Sequence, residues 1–86
     1  MADYRKEISK LEVGLRERNM EYRVRELFGG FQLIAADGWD VICHEYSYGG
    51  ERGLLEVMGL YKCDGDVIGN LTAEEVLAMV DEEMGV

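Results

Sequence analysis

Apolar residues recur in two distinct rhythms along the 86-residue chain. From Tyr4 onward, Tyr4, Ile8, Leu11 and Leu15 are spaced four, three and four apart, which places them on one stripe of an α-helix. Arg5, Lys6, Glu7, Lys10, Glu12, Arg16 and Glu17 fall mostly off that stripe. Asp3 is positioned to cap this helix, and Asn19 to end it in a left-handed turn. From Tyr22 to Tyr48 the rhythm changes to short runs rich in β-branched and aromatic residues. They are cut at Gly29-Gly30 and at Asp37-Gly38, dipeptides suited to two-residue hairpin turns because their backbones tolerate positive φ. A three-stranded antiparallel meander is predicted.

Two-residue turns set a register. Phe28 then faces Phe31, and Val24 faces Ala35; across the second turn Ala36 faces Trp39 and Ile34 faces Val41. Because side chains alternate along a strand, the sheet acquires two unequal faces. One is a core face with Tyr22, Val24, Phe28, Phe31, Leu33, Ala35, Ile42 and Tyr46. The other has an apolar centre of Leu27, Ile34, Trp39 and Val41, rimmed by Arg23, Arg25, Gln32 and Glu45. An aromatic anchor inside a polar, arginine-containing rim suits a protein interface, so this face predicts a homodimer contact unless a C-terminal helix covers it.

Beyond Tyr48 the segment Glu51–Met58 reads as a short helix closed by Gly59, and residues 60–66 as a loop. Thr72 and Glu75 form a capping box. The helix they start buries Val76, Leu77, Met79 and Val80. The predicted fold is a single α+β domain over 1–86: an N-terminal helix, a three-stranded meander, then two C-terminal helices, α-β-β-β-α-α.

Charge changes the picture. The chain carries 18 acidic and 9 basic residues, a net −9. Asp64, Asp66, Glu74, Glu75, Asp81, Glu82 and Glu83 follow one another without an intervening base. Such a chain repels phosphate backbones, so the expected partner is a protein with a basic surface and not nucleic acid itself. The chain has no apolar run of membrane-spanning length and no export leader, which predicts a cytoplasmic protein with no membrane partner. Cys43 and Cys63 lack the close spacing of a redox or zinc motif and are expected as free thiols.

Candidate chemistry is thin. Residues 64–75 align with an EF-hand-like calcium loop through Asp64, Asp66, Gly69, Thr72 and Glu75, but Ile68 stands where a fifth-position oxygen is required. Cys43 and His44 are adjacent, and on a strand they point to opposite faces, so they form no nucleophile–base pair. No enzyme and no cofactor are expected.

The order of elements, the length and the acidity resemble small acidic phage and prophage proteins, among them anti-CRISPR inhibitors built α-β-β-β-α-α. The stretch CHEYSYGG followed by GLLEVMG is also similar to short phage proteins. The likeness lies in architecture and charge and transfers no residue by motif. It implies an inhibitor whose carboxylates imitate DNA phosphates and occupy a basic groove of a nucleic-acid-binding protein. By charge alone, the mimic residues are the seven acids named above.

Overall fold

The computed structural model describes residues 2–85. The chain runs α1 (Lys6–Glu17), β1 (Tyr22–Leu27), β2 (Gly30–Ala35), β3 (Asp40–Cys43), β4 (Leu55–Met58), β5 (Val67–Leu71) and α2 (Ala73–Met84). The five strands form one antiparallel sheet in the order β1-β2-β3-β4-β5. The α+β class stands. The three-stranded meander does not, because two further strands extend it, and the second of three expected helices is absent.

The expected helix over Glu51–Met58 is replaced by a single 3-10 turn at Gly50–Arg52 and by β4. Gly53 adopts φ +71° and stops the turn after three residues. Leu55 and Val57 then alternate inward, Glu56 and Met58 outward, a period of two. An eight-residue helix is too short to support itself in water. The open edge of β3 instead supplies backbone partners for residues 56–58. β5 follows from the same logic on β4, with a bulge between the two strands.

Both expected turns exist, and both are displaced. The first is made by Phe28 (φ +48°) and Gly29 (φ +78°), leaving Gly30 as the first residue of β2. Gly30 is required there for space: a Cβ would stand 2.0 Å from the Cys43 carbonyl and 2.7 Å from His44 Cα. Pairing moves by two residues, so Val24 faces Leu33 and Glu26 faces Phe31, and both strands keep their expected faces. The second loop has three residues, Ala36, Asp37 and Gly38. Gly38 N–H donates to the Ala35 carbonyl and Ala35 N–H to the Trp39 carbonyl, with Gly38 at φ +103°. Here the register moves by one, which exchanges the faces of β3.

Both helices pack on one face of the sheet. Ile8, Leu11 and Leu15 of α1 and Ala73, Val76, Met79 and Val80 of α2 meet Leu33, Ala35, Trp39, Val41, Cys43, Leu55 and Val57. Asp3 Oδ1 accepts from the N–H groups of Arg5 and Lys6, and Asn19 ends the helical run at φ +56°, as the sequence predicts. The capping box forms between Thr72 and Glu75. The helices run side by side in the same direction. Buried Glu7 accepts from Ala73 N–H (2.8 Å) at the start of α2, where the helix dipole favours a carboxylate. Arg18 clamps Asp81 near its end with two bonds of 2.7 and 2.8 Å.

Candidate functional site

The helices cover one sheet face and leave the other open. The alternation places Arg23, Arg25, Leu27, Gln32, Ile34, Asp40, Ile42, Glu56 and Met58 on the open face. Across its middle, Arg25 Nε donates to Gln32 Oε1 (2.6 Å) and Gln32 Nε2 to Asp40 Oδ2 (3.1 Å). Leu27, Ile34 and Ile42 are half-buried beside this chain of polar groups.

The interface built around Trp39 is not assembled. Arg23, Arg25, Leu27 and Ile34 lie on the open face as expected, but Trp39 is 2% exposed and Val41 fully buried. The extra residue in the Ala36–Gly38 loop turns both inward, beneath the helices. Asp40 and Ile42 take their places outside. A homodimer anchored by Trp39 is therefore ruled out by the fold of the single chain.

The seven acids divide by what they do. Asp81 is held by Arg18, Glu82 by Lys62 (3.2 Å), and Glu83 accepts from the Tyr61 N–H. Glu75 completes the capping box, and Asp66 accepts from the adjacent Val67 N–H. Asp64 and Glu74 are exposed, and their carboxylates have no hydrogen-bond or ion-pair partner among the described residues. The Arg18 guanidinium, through its hydrogen bonds and its charge, holds the Asp81 carboxyl below the usual carboxylate range.

The calcium alignment fails for a geometric reason. Val67–Leu71 is extended strand, which puts Asp64 and Asp66 at one end and Thr72 and Glu75 at the other, about 16 Å apart along five residues. Thr72 and Glu75 are engaged in the cap. No group of three or more His, Cys, Asp or Glu suited to a metal forms among the described residues.

Cys43 and His44 occupy separate environments. Burial, reinforced by the charges of Asp3 and Glu7, pushes the Cys43 thiol up to about 11, which keeps it protonated at neutral pH. Cys63 is also buried, and both cysteines are free thiols. His44 Nδ1 accepts from the Tyr46 N–H (3.0 Å), and its ring lies edge-on to Phe28 at 5.2 Å. Phe28 and Tyr46 are 61% and 72% exposed and contact each other edge to face at 5.5 Å. The sequence register puts Phe28 and Tyr46 on the core face; because Phe28 is a turn residue at φ +48° and not a strand residue, they form instead an exposed aromatic knuckle at the β1–β2 tip. Its one sequence signal is a bulky Phe immediately before Gly29-Gly30.

The sequential strand order lays the charge asymmetry of the chain across the molecule. Residues 36–86 hold twelve of the eighteen acids and only two bases, Arg52 and Lys62. Both are occupied, Arg52 with the Asn70 side chain (2.6 Å) and Lys62 with Glu82. The β3–β5 and α2 side is strongly negative, whereas α1, β1 and β2 are nearly balanced. No known family, curated protein or solved structure matches the chain.

Proposed function

We propose that the protein is a non-catalytic interaction protein of phage-inhibitor type. Its acidic half docks on the basic surface of a nucleic-acid-binding protein and competes with the nucleic acid for it. The segregation of twelve acids and two occupied bases onto one side carries this reading. A field of one sign over a whole side steers association with an oppositely charged surface, over a range set by a Debye length of about 8 Å at physiological salt. Length and acidity, the part of the likeness to anti-CRISPR inhibitors that the five-stranded sheet leaves standing, suggest the partner class, a nuclease or regulator with a DNA groove.

Asp81, Glu83 and Glu75 make hydrogen bonds to other parts of the fold and Glu82 pairs with Lys62, so their removal mixes binding with stability. Asp64, Asp66 and Glu74 are the informative positions, because Asn tolerates the left-handed φ of +49° at residue 64 and keeps the acceptor at residue 66. The triple variant D64N/D66N/E74Q should retain the native melting temperature. Its affinity for a DNA-binding partner captured from the native host should fall about tenfold, for roughly 0.5 kcal/mol per lost pair. Competition between the wild-type protein and duplex DNA for that partner measures mimicry directly. Simultaneous binding of both would overturn it.

A further inference from the structure

We propose that β1 is a docking edge that accepts an extended peptide as a sixth strand, and that the peptide alternates acidic with apolar residues. β1 is a terminal strand of the sheet, paired only with β2. The Ala36 N–H donates to the Glu21 carbonyl (3.0 Å), which sets the alternation of the ladder. Arg23, Arg25 and Leu27 therefore turn their backbone groups to β2, and Tyr22, Val24 and Glu26 turn theirs outward. None of these outward N–H or C=O groups has a partner among the described residues. They repeat every 6.8 Å or so, the spacing an added strand requires.

This edge is guarded by charge alone, in Arg23, Arg25 and Glu26. The chain contains no proline, and β1 pairs with β2 through six consecutive residues without a bulge. The opposite edge strand, β5, is bulged against β4. What β1 does carry is two arginines on the open face. Arg5, Lys10, Arg16 and Arg18 have carboxylates within 4.0 Å, whereas among the described residues Lys6, Arg23 and Arg25 have none, and only the last two share a strand. Arg25 is oriented along the sheet by Gln32, and Arg23 is exposed. In a protein with twice as many acids as bases, these two cations on one strand await carboxylates.

The arginines also select the occupant. Pairing β1 with the β1 of a second copy must oppose outward residues, even number against even number. Every antiparallel register that overlaps three or more residues of β1 sets like charges opposite each other, arginine against arginine when centred on residues 23 to 25 and Glu26 against Glu26 when centred on residue 26, which is destabilising. The β5 edge of a second copy, Val67–Leu71, contains no carboxylate to face them. A strand of alternating acids places its carboxylates over Arg23 and Arg25. Its intervening apolar residues then lie beside Tyr22 and Val24, which are half-buried on the helix side.

The probe is an end-blocked seven-residue peptide alternating Glu and Val, titrated into the full-length 15N-labelled chain and followed by amide shifts and by anisotropy of a labelled copy. Saturable binding is expected, with the largest shifts and new exchange protection at Tyr22, Val24 and Glu26. R23E/R25E should weaken it at least tenfold and transfer the preference to a Lys–Val peptide. V24P deletes an outward N–H without touching the β2 ladder, so it should abolish binding while circular dichroism stays native; if V24P unfolds, R23E/R25E decides. The proposal is overturned if the Glu–Val peptide does not saturate, or if its shifts lie away from β1. Binding unchanged in R23E/R25E overturns it as well, as does concentration-dependent self-association through β1 or preferential binding of an oligonucleotide to the two arginines.

Discussion

Gly30 and Gly29 sit side by side in the sequence and meet opposite constraints. Gly29 occupies a left-handed turn position with open space around the missing Cβ. Gly30 is extended, and its missing Cβ makes room for backbone atoms of Cys43 and His44 that cannot swing aside as a side chain could. Gly29→Ala should cost about 1 kcal/mol, the left-handed penalty of an L-residue. Gly30→Ala should cost about 3 kcal/mol, because the β2–β3 pairing itself has to shift. Urea unfolding of the two variants checks the order; equal losses would mean that β2 and β3 are less closely packed than they stand here. Neighbouring Phe28 accepts a left-handed φ of +48° unusual for a bulky residue, held by its edge-on contacts to His44 and Tyr46.

At the scale of elements, the two helices owe their ends to local chemistry and their stability to the sheet. Thr72 Oγ1 accepts from the Glu75 N–H (3.2 Å), while the Glu75 carboxylate accepts from the Thr72 N–H (2.9 Å). Thr72→Ala should lower stability by about 1 kcal/mol, read from the denaturant midpoint at unchanged slope. Such reciprocal caps are legible in sequence because every partner lies within three residues. β4 was not legible. In Leu54-Leu55-Glu56-Val57-Met58 the apolar positions satisfy a helical stripe as well as an alternating strand. The pairing of Asp40, Val41 and Ile42 with residues 56–58 decides between them, and those partners are about sixteen residues away.

For the whole molecule, Arg18 and Asp81, 63 residues apart in sequence, join the two helices and lock them in parallel. Because the folded Asp81 carboxyl titrates below its ordinary value, the stabilisation is fully present above the unfolded carboxylate pKa. It is lost as the pH falls through the folded value. Asp81→Asn should therefore melt below wild type at pH 7, and the gap should close on acidification below about pH 4. A gap independent of pH would assign the effect to packing. The same large-scale view separates two surfaces: an acidic β3–β5 and α2 side, and an arginine-bearing edge at β1.

The sequence by itself determined the stripe of Ile8, Leu11 and Leu15, the capping box at Thr72, the existence of turns near Gly29 and Gly38, and the uneven charge. Each depends on residues a few positions apart or on simple totals. Only the tertiary structure decided which side of the sheet Trp39 occupies. The dipeptides mark where the chain reverses, but a loop of two or three residues depends on what the following strand packs against. Gly30 under Cys43 and His44, and Trp39 under both helices, are contacts between distant segments, and a single residue of register moved the largest side chain of the protein from a supposed interface into its core.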